Sequence, residues 1–167
     1  MVVGIPKEIV TGEKRVSVVP GIISRLKGIS VVMERGAGEA AGFPDTAYVE
    51  QGVSIVDTSA LYEQSDIILK IQTPTATEAR LFKEGTTLIS FLYPLTNLET
   101  IQILAARRVN ALAMNLIPRS SRAQSMDALS SQAIISGYKA VLLGADSLPR
   151  LFPMLMTAAG TIPPAKV

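Results

Sequence analysis

Residues 67–71, Ile67-Ile68-Leu69-Lys70-Ile71, and residues 86–92, Thr86-Thr87-Leu88-Ile89-Ser90-Phe91-Leu92, decide the fold. Both are short runs dominated by consecutive apolar residues, the pattern of strands covered on both faces of a parallel sheet. Between them 77–82 reads as a helix. Beyond them come a helix over 98–107 and a strand over 110–114. Toward the N-terminus the same alternation continues. Val2–Ile5 is a first strand, and 20–27 a helix with Ile22, Ile23 and Leu26 at helical spacing. A strand over 29–33 follows, then a short helix over 46–51, a weak strand over 54–56 and a short helix over 59–64. Repeated strand–helix order predicts an α/β fold, a doubly wound parallel sheet of the flavodoxin or Rossmann type. Crossovers of roughly 10 residues or more are long enough for it.

The final third departs from this rhythm. A long helix is expected over 122–148, ended by Pro149, because the residue before a proline avoids helical backbone. Its apolar residues Met126, Leu129, Ile134, Ile135, Val141, Leu142 and Leu143 spread nearly all round. Such a helix is expected to be buried on most faces, here between two domains. A second helix is expected over 152–159. Pro163-Pro164 reads as a linker, and Ala165-Lys166-Val167 as the start of a further strand. The expected division is an α/β domain over 1–120, an interdomain helix over 121–148, and a helix and linker over 149–167.

Composition narrows the chemistry. Of 167 residues, 48% are hydrophobic and 18% charged, enough for a sizeable core. Sixteen basic and 14 acidic residues leave a net charge of +2, and Arg107-Arg108 is the longest basic run, so neither nucleic acid nor an anionic membrane is implied. No apolar run reaches spanning length, and charges arrive too early for a signal peptide, so a soluble, cytoplasmic chain is expected. There is no Cys and no His. That removes thiol nucleophiles, the commonest metal ligand and the commonest general base, and no metal site is expected.

Four motifs stand out. Gly36-Ala37-Gly38-Glu39-Ala40-Ala41 fits a phosphate-approach turn after a strand, with Asp57 as the acidic residue about 20 positions on, but Gly42-Phe43-Pro44 breaks any helix at once, so a surface turn is the plainer reading. Arg15, in Glu13-Lys14-Arg15, could clamp a carboxylate with two parallel bonds, or stand in a solvated turn. Lys70 ends a buried strand and either faces a site or carries the strand out to water. The richest segment is Pro118-Arg119-Ser120-Ser121-Arg122-Ala123-Gln124-Ser125-Met126-Asp127-Ala128-Leu129-Ser130-Ser131, with Tyr138 beyond. On one continuous helix, Tyr138, Asp127 and Ser130 would fall about 40°, 60° and 120° from Gln124, a polar arc on an apolar helix. Locally, Ser121-x-x-Gln124 also fits a capping box, and Asp127 suits a helix start.

That segment, with Gly137-Tyr138-Lys139-Ala140, resembles the NAD(H)-binding subunit of proton-translocating nicotinamide nucleotide transhydrogenases. Gly4-Ile5-Pro6-Lys7-Glu8, Glu13-Lys14-Arg15-Val16, Gly36-Ala37-Gly38, Ile68-Leu69-Lys70 and 157–167 resemble the same family. The resemblance implies direct hydride transfer between NAD(H), bound by this subunit, and NADP(H), bound by a partner subunit. Membrane subunits would couple that Re/Si-specific transfer to proton translocation. It implies a homodimer, peripheral to the inner, thylakoid or plasma membrane through its partners and not itself inserted. Gln124 and Arg119 are the implied catalytic residues. Arg119, Ser120, Ser121, Gln124, Asp127, Leu129, Ser130 and Tyr138 are the implied cofactor-binding residues. Direct transfer between nicotinamides needs positioning rather than a general base, which suits a chain without His. Ser120 stands where an apolar β-branched residue is usual, and Asn115 where an Asp is usual. The Gly-rich fingerprint of the family's NAD-binding domain is not in this sequence, so the chain by itself is expected to be inactive. Alanine dehydrogenases share the Arg15 and Lys70 positions but also a His where this chain has Tyr93-Pro94, which leaves that activity as the alternative. A further alternative is a non-enzymatic interaction module.

Overall fold

Six strands form one sheet in the computed structural model, which describes residues 1–166. They are β1 (Val2–Ile5), β2 (Ser30–Glu34), β3 (Ser54–Val56), β4 (Ile67–Leu69), β5 (Thr87–Ser90) and β6 (Asn110–Ala113). Their order is β3-β2-β1-β4-β5-β6, and every pairing is parallel. Helices α1 (Pro20–Ile23), α2 (Asp45–Val49), α3 (Thr58–Gln64), α4 (Ala76–Ala79) and α5 (Leu98–Ala106) lie on the crossovers. This is the doubly wound parallel sheet that the alternating pattern predicts, with the Rossmann strand order.

The burial of both faces explains the unbroken apolar runs. Val31 and Met33 of β2 join a cluster with Ile5, with Ile23 of α1 and with Tyr48 of α2. Val32, between them, joins a second cluster with Leu61 of α3, Ala79 of α4, Leu104 of α5, Ile68 and Leu88. Successive side chains of a strand point to opposite faces, so a strand covered on both sides has no polar face to show.

Helix starts follow local chemistry. The Asp57 carboxylate accepts a hydrogen bond from Ala60 N at 2.8 Å and caps α3. Thr75 and Glu78 form a capping box that opens α4. At the glycine turn, Gly36 N donates to the Asp45 carboxylate at 2.9 Å, so that N–H already serves a carboxylate of the chain. A Cβ on Gly38 would come within 2.6 Å of both the Phe43 carbonyl oxygen and the Tyr48 ring. Close packing on Tyr48 is a sufficient reason for glycine there.

Several expected boundaries move. The helices expected over 20–27, 46–51 and 77–82 shorten to α1, α2 and α4, and the strands over 67–71 and 86–92 shorten to β4 and β5. The chain divides into two compact units, Met1–Pro118 and Arg119–Val167. In the second, the helix expected over 122–148 is α6 (Ala128–Ser147) alone. Asp127, at ψ 87°, stands outside helical geometry and caps α6 through Ser130, while 124–126 forms a separate 3-10 turn. The C-terminal end is as expected: Leu148, at ψ 133°, leaves the helix before Pro149. No residue of α6 is buried, and Ile134, Ile135 and Val141 are 76%, 60% and 58% exposed. The expected burial is therefore not found in α6, since an apolar helix is covered only along faces on which another element packs. The helix expected over 152–159 is instead an antiparallel hairpin of β7 (Leu155–Thr157) and β8 (Gly160–Ile162). Gly160, at φ +127°, supplies backbone no helix allows, and the Thr157 hydroxyl donates to Gly160 O at 2.9 Å. Ala165 and Lys166 form no strand, and Val167, the last residue of the expected one, lies outside the described residues.

Gly4 gives a test of the packing. It lies in β1, between β2 and β4, and a Cβ there would collide with the Ser65 hydroxyl, with Leu61 Cδ2 at 3.2 Å. That hydroxyl is buried and pinned by its bond to Leu61 O at 2.6 Å. Gly4→Ala should cost about 1–3 kcal/mol in urea unfolding. Gly21→Ala, in α1 with nothing near, should be neutral or mildly stabilising. Equal effects at the two sites would refute this account of β1.

Candidate functional site

In an open parallel sheet the ligand crevice lies beyond the carboxyl ends of the strands, where the strand order reverses. Here that point is between β1 and β4. The chain leaving β1 brings Glu8 to it, and the chain leaving β4 brings Lys70, Ile71 and Gln72. Lys70 Nζ donates to Glu8 Oε2 at 2.9 Å and pairs with Glu78 Oε1 at 3.1 Å. The three side chains are 0%, 4% and 10% exposed. Glu8 also accepts from Ile71 N at 2.6 Å and Gln72 N at 3.3 Å, and Glu78 accepts from Thr75 N at 2.8 Å. Buried charges survive only when paired and hydrogen-bonded, and each of these is both. Lys70 therefore does not carry its strand to water.

Arg15 does clamp a carboxylate, and the carboxylate is the chain's own Glu13. Arg15 Nε donates to Glu13 Oε1 at 2.7 Å and the guanidinium donates to Oε2 at 2.6 Å. Gln72 Nε2 donates to the same Oε2 at 2.7 Å. The Arg15 bond holds the Glu13 carboxyl down at about 2, against burial, which pushes it up. Sequence reasoning missed Glu8, Glu78 and Asn115 as members of this edge. Thr75-x-x-Glu78 is legible as a capping box, but nothing local links it to Lys70. Asn115 Oδ1 accepts from Leu92 N at 2.9 Å and Tyr93 N at 3.2 Å, a task that needs an acceptor and no charge.

The second unit holds the polar segment. Arg119, Ser120, Ser121, Gln124, Asp127 and Ser130 line one concavity of about 330 Å3. Ala123 N and Gln124 N both donate to Ser120 O at 3.0 Å, which folds 120–124 into a turn with Ala123 buried. The Asp127 carboxylate accepts from Ser130 Oγ at 2.6 Å and from Ser130 N at 3.0 Å. Those bonds, with a smaller pull from Arg119, hold Asp127 below the usual carboxylate range. The expected Ser121–Gln124 capping box is replaced by this Asp127 cap. The expected helical arc also fails for Gln124, which precedes α6. On α6 itself Ser130 and Tyr138 stand about 80° apart. Leu129 and Tyr138 do not line the concavity, and Tyr138 is 69% exposed. The arrangement offers a guanidinium, hydroxyls, one amide and one carboxylate. That set matches a ligand with both hydrogen-bond donors and acceptors. No helix of the described residues is long and apolar enough to cross a membrane, and none of their His, Cys, Asp or Glu groups could hold a metal ion.

A doubly wound parallel sheet with the order β3-β2-β1-β4-β5-β6 and a buried ion cluster at its topological switch point defines an α/β protein of the Rossmann-like class. A family model described as the N-terminal domain of alanine dehydrogenase/PNT matches residues 4–136. The chain belongs to that family. It is 45% identical to the first portion of the NAD(P) transhydrogenase alpha subunit of Rhodospirillum rubrum, over 100% of this chain and 46% of that protein. It is 44% identical to NAD(P) transhydrogenase subunit alpha of Haemophilus influenzae, over 100% of this chain and 33% of that one. Alanine dehydrogenase of Bacillus subtilis is more distant, at 30% over 90% of this chain and 39% of its own. The crystal structure of transhydrogenase from Sinorhizobium meliloti superposes with a TM-score of 0.92 at 40% identity, covering 99% of this chain and 50% of that chain. The chain thus spans less than half the length of these curated relatives.

The Glu13–Arg15 pair predicts a pH dependence. The unfolded Glu13 carboxyl titrates near its ordinary 4.5 and the folded one near about 2. The pair's contribution is complete above the unfolded value and drains away as pH falls from there toward the folded one. Glu13→Gln should lower the urea midpoint at pH 7, and its deficit should shrink steadily as pH is lowered through that window. A deficit that does not change with pH would refute the pairing.

Proposed function

We propose that this chain is the front portion of an NAD(H)-binding transhydrogenase subunit, and that 119–130 receives the nicotinamide end of the cofactor. The observation that carries the reading is the gathering of Arg119, Gln124, Asp127 and Ser130 around one concavity, in a chain whose transhydrogenase relatives are nearer than its alanine dehydrogenase ones. The donors and acceptors there fit a carboxamide and ribose hydroxyls. When bound, NADH supplies the hydride. Arg119 holds the nicotinamide end, and Asp127 and Ser130, already locked to each other, orient carboxamide and ribose. Ser120 contributes through its backbone, whose carbonyl shapes the turn, and Ser121 through its place on the rim. Gln124 sets the ring's approach to NADP(H) on a partner subunit. Leu129 and Tyr138, which lie outside the concavity, are the weaker members of the set.

On this reading the complete protein is a homodimer at the cytoplasmic face of a membrane. Its transfer, Re/Si-specific and linked to proton translocation, depends on NADP(H)-binding and membrane subunits. On the same reading the adenosine half of NAD(H) belongs to a Gly-rich domain outside this sequence, beyond α6 and the β7–β8 hairpin. The alanine dehydrogenase alternative keeps Arg15 and Lys70 but has Tyr93-Pro94 in place of its His, and both cations are already paired with the chain's own carboxylates.

Two measurements test the assignment in the complete subunit assembled with its partners. Gln124→Asn should slow hydride transfer by about tenfold or more, since misplacement of reacting rings is costly, while NADH binding changes far less. Equal losses in rate and affinity would remove Gln124 from its positioning role. Alanine with NAD+ should yield no NADH; turnover would restore the dehydrogenase reading.

A further inference from the structure

Asp127 is the joint between the 124–126 turn and α6, and hydrogen bonds grip it from both sides. Behind it, Asp127 N donates to Gln124 O at 3.2 Å, and Gln124 N donates to Ser120 O at 3.0 Å. Ahead of it, Ser130 holds the carboxylate, with Oγ on one oxygen at 2.6 Å and N on the other at 3.0 Å. The Asp127 carbonyl is the remaining handle. Its backbone bond, from Ser131 N, is 3.4 Å long, outside the usual span of about 2.7–3.2 Å. The reason is local: Asp127 stands at ψ 87°, short of the extended range, from about 100° upward, that a cap residue ordinarily takes. The Ser131 hydroxyl supplies the closer hold, donating to Asp127 O at 3.1 Å.

A helical serine often returns its hydroxyl to the carbonyl four residues back, where the bond merely duplicates the backbone ladder. Here the carbonyl belongs to the cap, and the ladder bond is the longer of the two. One run of hydrogen bonds thereby ties α6 to the turn, from Ser131 Oγ to Asp127 O, from Asp127 N to Gln124 O and from Gln124 N to Ser120 O. Ser131 is not among the residues that line the concavity, so any effect it has there passes through Asp127.

We infer that Ser131 is a positioning residue for the 119–130 site. By holding the Asp127 carbonyl it fixes the angle at which the 124–126 turn, and with it Gln124, meets α6. This role rests on the nicotinamide reading proposed above. Without the hydroxyl the turn swings at the Asp127 joint. Gln124 is then misplaced, while Arg119, Asp127 and Ser130 keep every group they offer a cofactor. Transfer between two rings suffers from such misplacement more than binding does.

The test compares Ser131→Ala with Ser131→Thr in the complete subunit assembled with its partners. Alanine removes the hydroxyl but is the better helix former, so thermal stability should hold or rise slightly. Threonine keeps an oxygen that bonds the carbonyl four residues back. Ser131→Ala should slow hydride transfer by about threefold to tenfold, the span of one hydrogen bond, with the Kd for NADH within about twofold of the parent. Ser131→Thr should bring the rate back to within about twofold of the parent. A second readout needs no cofactor: amide hydrogen exchange at Asp127 and Ser130 should quicken by about threefold to tenfold in Ser131→Ala and not in Ser131→Thr. Unchanged transfer in Ser131→Ala, an equal loss of rate and affinity, no rescue by threonine, or unchanged exchange would each overturn the role. If Gln124→Asn spares transfer, the nicotinamide reading falls whatever Ser131 does. If Gln124→Asn behaves as expected and Ser131→Ala is silent, the role of Ser131 alone falls.

Discussion

An ammonium group with no contact with water stays charged only if its neighbours replace the hydration it has lost. Lys70 meets that condition through Glu8 and Glu78, each of which is itself tied to backbone N–H groups. The consequence is architectural. Glu8 leaves β1, Lys70 leaves β4 and Glu78 lies in α4, so one ion cluster joins the two strands flanking the switch point to the next crossover. Removing one partner would strand buried charge, a far larger penalty than losing a surface pair. Glu13, Arg15 and Gln72 extend the same edge outward through a bidentate pair.

The two units solve the problem of polar groups differently. In the first, Lys70, Glu8 and Glu78 at the carboxyl edge are buried and paired with one another, and both carboxylates accept from backbone N–H groups. In the second, the polar residues from Arg119 to Ser125 are exposed, and Asp127 and Ser130 are locked together in the course of capping the helix. On the proposed reading, guanidinium, amide and hydroxyl groups left open to solvent there exchange water for the polar end of a cofactor.

The sheet was legible because its signal is local. A strand buried on both faces must be apolar along its length, and a crossover must be long enough to return, and both facts are written in consecutive residues. Helix ends were less legible where competing caps exist. Ser121-x-x-Gln124 and Asp127-x-x-Ser130 both read as starts, and the backbone adopts the second. Residues 152–159, where a helix is expected, instead enter a hairpin because Gly160 turns the chain at φ +127°.

By itself the sequence determined the class of fold, the identity of the family segment around Arg119–Ser130, and the absence of thiol and imidazole groups, because each depends on which residues are present and how they are spaced. Only the tertiary structure decided that Lys70 and Arg15 are matched to Glu8, Glu78 and Glu13, that Asn115 sets the Tyr93 backbone, and that Gln124 lies outside the helix that follows it. Glu8 and Lys70 are 62 residues apart in the chain. Pairings at such distance depend on the register of a folded sheet, and no local pattern encodes that register.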